Sequence, residues 1–523
     1  MTRTFRNPIL PGSYPDPSIC RVGEDFYLVT STFEYFPGLP IHHSRDLVNW
    51  QPIGHVIDRA DQLDLDDIKP SHGLYAPTIR YAQGTFYVVC TLVGGRTTSG
   101  NFVVTAENVR GPWSEPVWLN DAEGFDPSLL FDNDGRAWFC ATKQEDERGH
   151  TVVWVQEFDP YALKLTGERH EIWRGALRDA RWSEAPHIYN VGGIYYLLTA
   201  EGGTSRDHAV MVARSDRPTG PYTGCPRNPV LTARNLVGDS PVVATGHADL
   251  VSTADGEWWS VLLGVRDDEM GLLGRETFLT PVRWDDDGWP IFSPGHGVIR
   301  LEETLPTLNE TRWPTTPRCA SFDDPRLGAD WMMIRTPREN WWSLTERPGH
   351  LRLRARTETL TGQGNPSFVG RRLRHRDFAA YTTVDFTAAE TQRAGIALVH
   401  SAAHQIRLEI GGVAARTAKL ITRTDGEERV VADVAITGNP VRIGVEGHGP
   451  SVAFLIAEPG RNWQSLAVTD MSHLSYRRAG GFFGVLIGVF AVDDETTPNL
   501  PITGVADFDW FEYGPITRDG TDC

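Results

Sequence analysis

The sequence predicts an all-β protein, a five-bladed β-propeller followed by a β-sandwich, and three observations carry that prediction. One local pattern recurs five times in the first 290 residues: a small or acidic residue, usually a proline, a short apolar strand, a polar turn and an aromatic-rich strand. Helix-period stretches are nearly absent from the same region. After a proline-rich polar break, short strands resume with a different rhythm. The repeat openings are Asp16-Pro17-Ser18, Ala76-Pro77-Thr78, Asp126-Pro127-Ser128, Ala185-Pro186-His187 and Ala248-Asp249-Leu250. They are separated by steps of 60 (17 to 77), 50 (77 to 127), 59 (127 to 186) and 63 (186 to 249). Strand-and-turn repeats of that length are what propeller blades require.

Each blade follows from its own segment. Blade one reads FYLVTSTF then PIHHSRDLVNW, and blade two TIRYAQGTFYVVCTL then NFVVTAENVRGPW. Blade three reads SLLFDNDGRAWFCAT then VVWVQEFDPYALKLTGE. Blade four reads HIYNVGGIYYLLTAEGG then AVMVARSDRPTGPY, and blade five DLVSTADGEWWSVLLGVR then RETFLTPVRWDDDGWP. Gln83-Gly84, Asp134-Gly135, Gly192-Gly193, Asp255-Gly256 and Asp287-Gly288 supply the positive φ angles of tight hairpins. Residues 1–300 form the propeller in this division and 301–319 a linker, since prolines and polar residues interrupt the strands there. Residues 320–523 form the sandwich: LRLRAR alternates as a half-buried strand should, and seven further strand-like runs follow it.

Bulk properties narrow the function. A chain of 523 residues exceeds one ordinary core. Its net charge of −18 disfavours nucleic acid and anionic membrane as partners and suits a small neutral substrate. No segment approaches membrane-spanning length, and MTRTFRNPILPG lacks the apolar core of a signal peptide, which predicts a cytoplasmic protein. Six cysteines without a CxxC pair predict buried, reduced thiols.

Circular closure would bring the repeat openings together on one axis. Asp16, Asp126 and Glu184 would then share a pit, and hydrolysis of a glycosidic bond needs two carboxyl groups on opposite faces of the sugar. For each residue a structural role competes: an Asx turn at the Asp-Pro steps, or a salt bridge from Glu184 to an arginine such as Arg181. Trp182 beside Glu184 favours the functional role, because an apolar neighbour raises a carboxyl pKa by desolvation.

SYPDPSI, STFEYFPG, SRDLVNW, YAPTIRY, GFDPSLLFDNDG, WSEAPHIY, TGHADLV and GRETFL together resemble glycoside hydrolase family 43. The resemblance is to the β-xylosidase/α-L-arabinofuranosidase members that carry a C-terminal sandwich of the concanavalin or laminin-G kind. It implies an exo-acting, inverting hydrolase that releases xylose from xylo-oligosaccharides, with arabinofuranosidase activity close behind. By motif it assigns Asp16 as general base, Glu184 as general acid and Asp126 as the acid that tunes and orients Glu184. An inverting pair stands about 6.5–9.5 Å apart. The resemblance places Phe33, Tyr75, Arg275 and His247 around the sugar; strand core, salt bridge and core hydrogen bond are their structural alternatives. Tyr75 stands where some relatives carry tryptophan. No cofactor is required, although the resemblance allows a central calcium ion near His247, and association into a homo-oligomer is left open. In the 479–490 stretch Phe482 and Phe483 are candidate pocket contacts, with buried strand positions the expectation for both. A retaining fructosidase-type propeller needs a Glu-Cys step that this chain lacks, and a binding-only propeller would be expected to lose one of the three acids.

Overall fold

A computed structural model describes residues 3–516 apart from 237–239, 267–270, 388, 390, 413–415 and 495–503. The first half is a five-bladed propeller of antiparallel sheets. The inner strands are Ser18–Val22, Gly73–Ala82, Phe125–Phe131, Glu184–Val191 and Val242–Ser252. Hydrophobic clusters fill the space between blades, such as that of Val29, Ile41, Ile79 and Val88 between blades one and two.

The ring is closed by the N-terminal segment. Thr4–Arg6 pairs antiparallel with Glu302–Thr304. Asn7 Nδ2 donates to the carbonyls of Leu279 and Arg300, and its Oδ1 accepts the Leu279 amide. The proline-rich 301–319 stretch is therefore not a loose tether. Its Thr311 amide donates to Asp46 Oδ2, and the Trp313 indole donates to the Asn49 carbonyl.

At the start of each blade one non-glycine residue adopts positive φ: Asp16 (55°), Ala76 (29°), Asp126 (52°), Ala185 (54°) and His247 (52°). In blades two to five a register shift coincides with it, between Tyr75 and Thr78, Phe125 and Ser128, Glu184 and His187, and Gly246 and Asp249. These are β-bulges, which redirect a side chain at a functional rim. They also correct the sequence alignment of blade five: Ala248, not Asp249, occupies the proline position, and His247 takes the place of Asp16 and Asp126. The missing proline hid the frame. Two residues beyond each bulge lies a buried polar side chain, giving a ring of Ser18, Thr78, Ser128, His187 and Asp249.

The second half is a sandwich of two large antiparallel sheets around one apolar core. One sheet does not stop at the domain boundary: Trp331–Ile334 pairs with Tyr35–Phe36 of the propeller. Cys20, Cys90, Cys140 and Cys225 are free and buried, as expected. Cys319 departs from that expectation and is disulfide-bonded. Cys523 lies outside the described residues. Among the described residues no helix is long and apolar enough to cross a membrane.

Candidate active site

The bulges aim their side chains into a cavity of about 500 Å³ at the end of the propeller axis, within the usual range for a small-ligand site. The seven residues that the resemblance places at the site all line it: Asp16, Phe33, Tyr75, Asp126, Glu184, His247 and Arg275.

Asp16 is buried and held from both oxygens. Ser31 Oγ donates to Oδ2 at 2.6 Å, while the Arg275 guanidinium donates to Oδ1 at 3.1 Å. Ser31 is itself fixed by the Ala76 amide, which donates to its Oγ at 2.7 Å. His247 Nδ1 lies 3.6 Å from Oδ1. Burial by itself would raise the Asp16 pKa, but Arg275, then His247, then the Ser31 hydrogen bond outweigh it and hold the carboxyl below its ordinary value. Asp16 is a carboxylate.

Glu184 has the opposite balance. Burial, the charge of Asp126 and the charge of Asp16 raise its pKa well above the ordinary value, against a weaker pull from Arg275. Asp126 is raised to about 7, by burial first and by Asp16 second. Its Oδ2 accepts the Ala185 amide at 3.2 Å, so it holds the peptide next to Glu184. The charge of Asp126 is the largest influence on Glu184 after burial, and its own raised pKa reflects the cost of ionising several carboxyls in one small cavity.

Arg275 uses its donors within the protein. Besides Asp16 it reaches Thr204 Oγ1 at 3.2 Å and, from Nε and Nη2, the Phe482 carbonyl at 3.2 and 3.1 Å. Phe33 is buried in the wall, packed edge-on to Tyr75 at 5.4 Å between ring centres. The Tyr75 hydroxyl donates to the Ser71 carbonyl, which leaves its ring as the surface offered to a ligand.

Phe482, a candidate contact for which a buried strand position was the expectation, comes from the sandwich and lines the cavity, 5.9 Å from the Phe33 ring and 6.0 Å from Tyr75. It lies in a turn ahead of the Leu486–Asp493 strand, whereas Phe483 is a buried core residue. The Gly480-Gly481 pair, both at positive φ, was the available signal for a turn there. His208, which sequence reasoning missed, also lines the cavity; its Nδ1 lies 3.1 Å from the Ala244 carbonyl, and its buried Nε2 has no hydrogen-bond partner among the described residues. No local motif marks His208.

The residues near His247 do not fit a resident calcium ion. Its Nδ1 faces Asp16, whose charge Arg275 already balances. The other acid of its strand, Asp249, is saturated by Arg80, Ser18, Tyr189 and the Ile19 amide. Among the described residues no group of three or more His, Cys, Asp or Glu side chains could hold a metal ion.

A pit in which one carboxyl is held ionised and another protonated, with aromatic rings facing them, defines a glycosidase of the two-carboxyl kind. Comparison with known proteins agrees in detail. The chain belongs to glycosyl hydrolases family 43, whose model matches residues 5–290, and the beta xylosidase C-terminal concanavalin A-like domain matches residues 319–514. It is 40% identical over 506 residues to a xylosidase/arabinosidase of Butyrivibrio fibrisolvens, covering 94% of this chain and 96% of that one. It is also 40% identical over 518 residues to a non-reducing end alpha-L-arabinofuranosidase of Bacteroides ovatus, covering 98% and 95%. The solved xylan beta-1,4-xylosidase of Bacillus halodurans superposes with a TM-score of 0.91 at 34% identity, covering 97% of this chain and 99% of that one.

Proposed function

We propose that the protein is an exo-acting, inverting glycosidase that releases xylose from the non-reducing ends of xylo-oligosaccharides and also cleaves terminal arabinofuranose. The observation that carries this is the split in charge state between Asp16 and Glu184 across one cavity. Asp16, ionised, takes a proton from the attacking water. Glu184, protonated, delivers one to the departing glycosidic oxygen, and the two exchange charge over the step. Asp126 keeps Glu184 proton-bearing and fixes its peptide through Ala185. Phe33, Tyr75 and Phe482 enclose the sugar ring, and the unpaired Nε2 of His208 offers an acceptor for a hydroxyl. The relatives' names support pentosides of both kinds. We assign no step to a calcium ion.

The test is parallel kinetics on p-nitrophenyl β-D-xylopyranoside and α-L-arabinofuranoside, with NMR of the first-released sugar. α-Xylose as the initial product supports the assignment; β-xylose would show that Asp16 is not the base. Glu184→Gln adds a second arm. Its kcat on xylobiose should fall by about 10²–10⁴-fold. The fall should be much smaller for a nitrophenolate leaving group, which needs no proton.

A further inference from the structure

One layer below the acids, a buried ion pair sits among the inner strands. Arg80 Nη1 donates to Asp249 Oδ2 at 2.9 Å and Arg80 Nη2 to Oδ1 at 3.1 Å. Asp249 Oδ2 also accepts Ser18 Oγ at 2.7 Å and the Ile19 amide at 3.0 Å, and its Oδ1 accepts the Tyr189 hydroxyl. Arg80 Nη2 lies 3.1 Å from His187 Nδ1. Since a guanidinium only donates, Nδ1 is the acceptor and the ring proton is on Nε2. The pair thus joins the inner strands of blades one, two, four and five. Thr78 Oγ1 adds blade three, donating to the Pro127 carbonyl at 2.8 Å.

The sequence offsets place this network against the reacting groups. Ser18 lies two residues after Asp16, Pro127 one after Asp126, His187 three after Glu184 and Asp249 two after His247. At about 3.3 Å per strand residue, each of these four is within roughly 10 Å of chain from an acid or its partner. The acids stand on or just before separate inner strands with no hydrogen bond between their side chains, so their spacing depends on what ties those strands. Asp249 is fully buried, and a buried charge holds its place only while its partner is fixed and its remaining lone pairs are satisfied.

We propose that Arg80 and Asp249 are positioning residues: their ion pair sets the spacing between Asp16 and Glu184 that the reaction needs. This rests on the assignment of those two acids above. The titratable groups around the pair are Cys20, His187, Tyr189 and His247.

Asp249→Asn keeps the shape and removes the charge. On xylobiose its kcat should fall about 10²-fold, as a misplacement near 1 Å produces, with KM within about threefold of wild type. The unbalanced Arg80 cation would favour ionised Glu184 and Asp126, so the alkaline limb of the pH profile should move to lower pH. Adding Arg80→Met removes the cation, which should return the limb to its original position while kcat stays low. The limb reads the charge balance alone, and a kcat that stays low once the limb is restored reads the spacing. Tyr189→Phe, which deletes one hydroxyl, should lower kcat by roughly three- to tenfold with the limb unmoved. A folded Asp249→Asn enzyme with kcat within twofold of wild type, or a loss confined to KM, overturns the proposal. If Asp249→Asn does not fold, Tyr189→Phe decides it by the same threshold. Glu184→Gln in parallel separates the two readings: full activity there would remove the acid assignment itself, whereas an inactive Glu184→Gln beside a fully active Asp249→Asn rejects only the positioning role.

Discussion

Arg275 carries a charge that lowers the pKa of all three acids, yet its guanidinium touches only Asp16, at 3.1 Å. That asymmetry assigns the roles. The base is held ionised by direct contact, while the acid feels Arg275 too weakly to offset burial and two neighbouring carboxyls. The pH dependence follows in sign. Activity needs Asp16 ionised and Glu184 protonated, so it rises through the Asp16 pKa and falls through that of the Glu184–Asp126 pair. Arg275→Met removes the main influence lowering the Asp16 pKa. The acidic limb of kcat/KM should then move to higher pH, and the alkaline limb should move up less. Arg275→Lys keeps the charge and should hold the acidic limb nearer its original place. Profiles of the two variants on an aryl xyloside check this; an unmoved acidic limb in Arg275→Met would show that Asp16 is not the base.

The inner strands explain why so much of the site was legible in the sequence. A bulge with positive φ costs about 1–3 kcal/mol at a non-glycine residue, and proline behind it fixes the chain beyond. Asp-Pro, Ala-Pro and Asp-Pro steps therefore announced blades one to three, and Glu-Ala-Pro blade four. Blade five lacks the proline, and its frame slipped by one residue. Other features have no local signature. Ser31, His208 and the Arg80–Asp249 pair act across blades, so only closure of the ring shows them. Asp126 was legible as the acid that tunes Glu184, but the rise in its own pKa was not, since that depends on burial and on the nearness of Asp16. Gly124, just before the third bulge, tests how tightly these turns are built. It has φ of 93°, and a Cβ there would lie 1.9 Å from the Thr142 carbonyl oxygen. Gly124→Ala should destabilise the protein by about 2 kcal/mol, read as a Tm lower by a few degrees, and should lower kcat by displacing Asp126. An unchanged Tm would mean the turn can relax without the bulge.

At the scale of the molecule, the two domains share both a sheet and a site. The sandwich sheet continues into Tyr35–Phe36, beside Phe33 in the cavity wall. From the other side, the turn that carries Phe482 is fastened to the propeller at three points. The Phe482 amide donates to Ser71 Oγ at 2.9 Å, the Gly484 amide to Ser13 Oγ at 3.0 Å, and the Phe482 carbonyl accepts Arg275. Arg372 of the sandwich donates to the Ser13 carbonyl and covers the Tyr14 ring at 4.3 Å. The backbone of residue 482 holds the base's arginine by hydrogen bonds, whereas its ring walls the cavity and lies 5.2 Å from the Arg275 guanidinium, so a side-chain truncation separates ring from backbone. Phe482→Ala leaves every backbone bond in place. It should raise KM for xylobiose by roughly 10-fold or more, the loss of one aromatic contact worth about 1.5 kcal/mol, with kcat and the acidic limb little changed. A propeller cut at residue 304 loses the carbonyl as well as the ring. If it folds, its acidic limb should shift, because Arg275 is no longer pinned against Asp16. Equal KM values for Phe482→Ala and wild type would show that the sandwich supports the site without touching the sugar.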